Sequence, residues 1–187
     1  MKNIFTFLMV LSFTTSFSQE QSEAQQFWNT LQNLCGKSFE GTLVLPEKDE
    51  QFGGKQLVMH VRSCSDTVIR IPFFVGDDKS RTWVLTYEND RILLKHDHRH
   101  EDGSADEITM YGGETTNAGQ TTIQIFPADD ETKLMIPKAS TNVWWITLNE
   151  EEFTYNLRRL GTPRVFKVAF DLSKTIETPS TPWGWKD

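Results

Sequence analysis

Cysteine is almost missing from this chain: its 187 residues include two, Cys35 and Cys64. Two thiols exclude a disulfide-rich scaffold and a zinc site built from four thiolates. Basic residues are also in deficit. Nineteen Lys and Arg stand against 26 Asp and Glu, a formal charge of −7. An acidic surface repels phosphate backbones, which disfavours a general nucleic-acid binder. Beyond the N-terminus no apolar run approaches the ~20 residues a membrane helix needs, so no transmembrane segment is expected in the mature chain. There is no Gly-x-Ser-x-Gly, no His-Glu-x-x-His and no phosphate-cradling loop, so the sequence leans away from an enzyme and offers no catalytic residue. The acidic clusters Asp77-Asp78, Asp129-Asp130-Glu131 and Glu150-Glu151-Glu152 fall at expected turns and read as solvated loop charge.

What is present supports a packed core, with 37% hydrophobic and 24% charged residues. The first 18 residues read as a secretory signal. Lys2 supplies the positive end, Ile4–Phe13 a short apolar run, and Ser16 and Ser18 the small residues before a cut at Gln19. This predicts an exported bacterial protein, periplasmic or extracellular, with one domain over residues 19–174 and an extended tail over 175–187. In such a compartment a Cys35–Cys64 disulfide is expected, and two buried free thiols are the alternative.

One segment has helical period. Phe27, Trp28, Leu31 and Leu34 make an apolar stripe within residues 20–35, and Gly36 follows as a helix terminator. After Gly36 the period changes to two. Alternating runs occur at Phe39–Leu45, Leu57–Arg62, Val68–Val75, Thr82–Tyr87 and from Ile92 onward. Further strands are expected at Glu107–Tyr111, Thr121–Phe126, Lys133–Ile136, Asn142–Leu148, Glu152–Arg159 and Arg164–Leu172. Short polar or glycine-bearing links separate the runs, Gly53-Gly54, Gly112-Gly113 and Asp129-Asp130 among them, and predict antiparallel neighbours. About ten such strands would leave exposed edges in a flat sheet, and closure into a barrel removes them. The expectation is an all-β, antiparallel up-and-down barrel of eight to ten strands with one N-terminal helix. A β-sandwich is the competing architecture.

The early Phe39-Glu-Gly41 strand, the single preceding helix and the run of meandering strands resemble the calycin group, which includes the lipocalins and fatty-acid-binding proteins. The lipocalin Gly-x-Trp is absent. The stretch Lys95–Gly103 with Thr109-Met-Tyr-Gly-Gly113 is similar to a pattern in uncharacterised bacterial secreted proteins. The calycin resemblance implies a small apolar or amphipathic ligand held inside the barrel.

Three of the four histidines lie close together. On a strand, His96, His98 and His100 share one face about 6–7 Å apart. Imidazoles so placed suit zinc or another transition metal, with His60 a further candidate from a neighbouring strand. The other reading is a solvated hairpin tip. For a small ligand, Arg70, Trp83, Tyr155 and Arg159 are the candidate contacts. Tyr155 and Arg159 share a face of a late strand, and fatty-acid-binding proteins hold a carboxylate with a late-strand Arg and Tyr at a different spacing. Three functions stay open: a small-molecule-binding barrel, a metal-binding protein or metalloenzyme at the histidines, and a structural or interaction module of the cell envelope.

Overall fold

Strict alternation sends every second side chain to one side of a sheet, and the chain uses that side as an interior. The computed structural model of the chain describes residues 20–185; the secretory signal expected over residues 1–18 lies outside them. Helix α1 (Glu23–Gln32) comes first. It is followed by β1 (Ser38–Leu45), β2 (Leu57–His60), β3 (Ser63–Cys64), β4 (Val68–Val75), β5 (Asp78–Glu88), β6 (Arg91–His98), β7 (Tyr111–Glu114) and β8 (Ile123–Pro127). Helix α2 (Asp130–Met135) and a 3-10 turn (Pro137–Ala139) lead into β9 (Asn142–Leu148), β10 (Glu152–Arg159) and β11 (Val165–Asp171). The strand order is β7-β6-β5-β4-β2-β1-β11-β10-β9-β8, with β3 paired to β4. Every pairing is antiparallel, and β1 on β11 joins the two ends of the meander. The result is one nearly closed barrel of ten strands.

Phe39, Met59, Ile71, Leu85, Leu94, Ile146, Phe153 and Phe170 point inward and are fully buried. Gly41 lies opposite Phe170, and a Cβ there would collide with the Phe170 ring. That close approach is the physical reason for glycine in the Phe39-Glu-Gly41 strand.

Helix α1 stoppers one end of the barrel. Ser22 caps it by accepting from the Gln25 N–H, and its own hydroxyl donates to Asp90 in the β5–β6 turn at 2.6 Å. Glu23 accepts the Thr121 N–H, and the Trp28 indole donates to the Asp66 carbonyl. The Cys35–Cys64 disulfide ties the segment after the helix to β3 across a sequence separation of 29. Restricting a loop of that size in the unfolded chain stabilises the fold by about 3.5 kcal/mol. Full reduction is therefore expected to lower the melting temperature by about 10 °C. An unchanged melt after complete reduction, checked by thiol titration, would contradict this.

The barrel's seam lies between β7 and β8, which share no ladder. Helix α2 closes it. The Thr132 hydroxyl accepts from the Gly112 N–H and donates to the Gly112 carbonyl, which also receives the Asp129 N–H. Lys95, directed outward from β6, reaches Asp129 and Glu131 at 2.8 and 2.7 Å. Thus the edge groups of β7 that lack a strand partner are met by a helix terminus.

Several sequence expectations require correction around this seam. Lys133–Ile136 is helix and turn rather than strand, because Asp129 accepts the Thr132 N–H as an N-cap and Asp130 and Glu131 fill the first turn. Asp129-Asp130 is accordingly a helix start. Gly112-Gly113 is strand β7 rather than a turn; both positions lack a Cβ because backbone of β6 and of β8 passes where it would stand. Glu107–Met110 is irregular, and the strand begins only at Tyr111, after Met110 at a φ of 55°. Helix α1 is shorter than the predicted 20–35, since Ser22 caps it and the chain has turned by Gly36, at φ 80°.

The tail packs back on the barrel. Ile176 bridges to Ser38 near the helix end, and the Trp183 N–H donates to the Lys79 carbonyl near the other end. Arg62 lies over the Trp185 ring at 5.6 Å. Between these anchors Val58, His60 and Phe74 are buried although their positions face outward.

Candidate functional site

The end of the barrel opposite α1 is open. There the inward side chains enclose a cavity of about 480 Å3. Its floor is aromatic. Trp83 on β5 stacks on Tyr155 of β10 with ring centroids 4.4 Å apart, and Trp144 of β9 lies 5.2 Å from the His96 ring. The register explains the grouping. Trp83 stands opposite His96 across β5–β6, His96 opposite Tyr111 across β6–β7, and Trp144 opposite Leu157 across β9–β10.

A single polar relay crosses this floor. His96 Nδ1 is 2.9 Å from the Tyr111 carbonyl, which only accepts, so Nδ1 carries the proton. Nε2 is then a lone-pair acceptor, and the Tyr155 hydroxyl donates a hydrogen bond to it at 2.6 Å. Burial pushes His96 down to about 3, a neutral imidazole at physiological pH. Burial drives Tyr155 well above its ordinary value and Tyr111 up to about 12. Each group is satisfied as a neutral partner, so the relay holds the floor in one arrangement rather than presenting a charge.

Toward the mouth, His98 Nε2 lies 3.1 Å from the Tyr111 hydroxyl. Burial first, and then the Arg81 charge, lower the His98 pKa. Arg81 is engaged by Asp78 at 2.6 Å and sits over the Phe52 ring. Arg159 Nε donates to Asn142 Oδ1 at 2.8 Å. Burial and the neighbouring Arg164 charge both lower the Arg159 pKa. Lys138, Arg164 and Asp106 complete the charged lining. A second concavity of about 370 Å3 adjoins the first and shares Arg159, Arg164 and Phe166 with it.

Of the ligand contacts anticipated from sequence, Trp83, Tyr155 and Arg159 line the cavity and Arg70 does not. Arg70 is at an outward position of β4, opposite Val84 and Ser63. The structure does not bring the three histidines onto one ion. His96 spends both nitrogens on Tyr111 and Tyr155, His98 faces Tyr111, and His100 is exposed beyond the end of β6. His60 is on β2, separated from β6 by β4 and β5. Among the described residues no three His, Cys, Asp or Glu side chains are placed to hold a metal.

Sequence reasoning missed Tyr111 and Lys138. Tyr111 stood at the end of a strand assigned four residues too early, and Lys138 sits in a turn with no periodic signal. Arg164 was visible only as one of several strand-flanking arginines.

Most of the exposed large hydrophobics gather at the open end. Val44 and Leu45 end β1, Ile108 and Met110 precede β7, Leu134 and Met135 lie on α2, and Leu160 is in the β10–β11 turn. No protein family, curated protein or solved structure matches this chain.

Proposed function

We propose that the chain is an exported protein that binds one small apolar or amphipathic molecule in the open end of its barrel. The observation that carries this reading is the 480 Å3 cavity with a stacked Trp83–Tyr155 floor. That volume falls in the range of sites for small organic ligands, and flat indole and phenol faces suit an apolar body. The barrel with its N-terminal helix supports the resemblance to lipocalins and fatty-acid-binding proteins as one of architecture. The signal-like N-terminus and the Cys35–Cys64 disulfide support export. Among the described residues no helix is long and apolar enough to cross a membrane.

Titration with the neutral dye N-phenyl-1-naphthylamine tests the reading. Saturable one-to-one binding with a blue-shifted emission is the expected result. Leu157→Trp places an indole into the cavity from β10 and is expected to weaken that binding at least about tenfold by occluding the space. Failure of both this dye and its sulfonated analogue to bind saturably would defeat the reading, as would binding unaffected by the filled cavity.

A second reading, an interaction module of the cell envelope, is favoured by the exposed apolar side chains around the open end. Under it the rim itself is the working surface, and substituting Leu134 and Leu160 by Lys would abolish function while leaving dye binding intact.

A further inference from the structure

The mouth of the cavity holds more positive charge than its carboxylates balance. Arg81, Lys138, Arg159 and Arg164 line it, against one lining carboxylate, Asp106, and Asp49 in the adjoining concavity. Arg81 is neutralised by Asp78. Among the described residues none of Lys138, Arg159 and Arg164 has an ion-pair partner. This occurs in a chain of formal charge −7, where carboxylates are the commoner neighbours.

The two arginines are held together by the fold. The Arg159 N–H donates to the Arg164 carbonyl at 3.1 Å across the β10–β11 turn, and the Thr162 hydroxyl donates to the Arg159 carbonyl. Asn142 fixes Arg159 through Nε, which leaves the two terminal nitrogens of its guanidinium uncommitted. A guanidinium with one edge anchored loses little freedom when the other edge takes an oxyanion. The Arg164 charge is felt at Arg159, and two neighbouring guanidinium groups repel each other unless an anion stands between them. Below them, Leu157 and Phe166 continue the same wall down to Tyr155 and Trp83.

We propose that Arg159, Arg164 and Lys138 form an anion subsite at the mouth, so that the ligand is an amphiphile whose apolar body lies on the aromatic floor and whose carboxylate, sulfonate or phosphate group lies at the rim. The proposal rests on the reading of the cavity as a ligand site and names the class of molecule it takes. The acidic remainder of the surface disfavours anions elsewhere, so the subsite is a local reversal of sign and focuses an anionic ligand on the opening.

Two dyes with the same N-phenylnaphthylamine skeleton isolate the charge: neutral N-phenyl-1-naphthylamine and 1-anilinonaphthalene-8-sulfonate. At low salt the sulfonate is expected to bind about tenfold or more tightly than the neutral dye, with the gap narrowing as salt screens the rim. The double substitution Arg159→Gln and Arg164→Gln is expected to remove that advantage, lowering sulfonate affinity by about tenfold more than it lowers neutral-dye affinity, since it removes the charge and leaves the apolar floor in place. Lys138→Gln alone gives a smaller loss in the same direction. Near-UV circular dichroism and a cooperative melt establish that each variant is folded. A single-arginine variant, Arg164→Gln, serves the same comparison if the double variant does not fold. Equal affinity for both dyes in the wild type, or an equal drop for both in the folded variants, overturns the subsite and leaves the cavity reading standing. Binding of neither dye overturns both.

Discussion

Gly113→Ala is expected to melt about 10 °C below the wild-type protein, because overpacking against main chain costs about 3 kcal/mol. A Cβ at Gly113 would stand on the Pro127 carbonyl, and the atoms it meets are backbone of β8 and the following residue rather than a side chain able to rotate away. Relief requires β7 and β8 to part at the one place where no ladder joins them. The bonds from Gly112 to Thr132 and Asp129 would then be strained as well. Gly54→Ala is the control. Gly54 has a φ of 69° with nothing near its missing Cβ, so that variant carries only the backbone penalty, about 1 kcal/mol. Equal melting of the two variants would show that the seam yields freely. Since Tyr111 lines the cavity two residues before Gly113, the same substitution is also expected to weaken dye binding.

Acid is expected to unmake the barrel through its floor. His96 has a folded pKa of about 3 against an ordinary value of 6.5. Between those values the unfolded chain binds a proton that the folded chain refuses. The stability due to neutral His96 is therefore complete above about pH 6.5 and is lost progressively as pH falls toward 3, roughly 1.4 kcal/mol per pH unit and on the order of 3 kcal/mol by pH 4. Protonation would also place a donor at Nε2, where Tyr155 already donates. His98 and His60 are lowered by burial and act in the same direction. Substituting His96→Gln removes its titration and leaves every other group in place. Chemical denaturation of both proteins from pH 7 to pH 4 is expected to show the wild type's advantage shrinking as pH falls. Parallel stability curves would mean that His96 is not the group refusing the proton.

Both predictions turn on residues that the sequence displays without interpreting. Gly112 and Gly113 read as a turn because paired glycines usually mark one. Their real cause, close passage of two neighbouring strands, depends on which strand lies alongside. His96 and His98 read as metal ligands because they alternate on one strand. What occupies them, Tyr111 and Tyr155, comes from other strands: Tyr111 lies 15 residues on, past an irregular link, and 59 residues separate His96 from Tyr155. Helix α2 was lost because six residues offer too little periodicity to outweigh an apparent alternation.

The amino-acid order by itself determined the two-residue rhythm, the single amphipathic helix before it, the presence of only two cysteines and the common face of Tyr155 and Arg159. These are local properties, set by side-chain period and compartment chemistry along one strand at a time. Tertiary structure decided which faces meet: that α1 stoppers one end, that α2 rather than a strand closes the seam, that the imidazoles are locked to tyrosines, and that Arg159, Arg164 and Lys138 converge at the opening. Such facts come from strand order and register, which follow from the energy of the whole closed surface and leave no mark in any short stretch of chain.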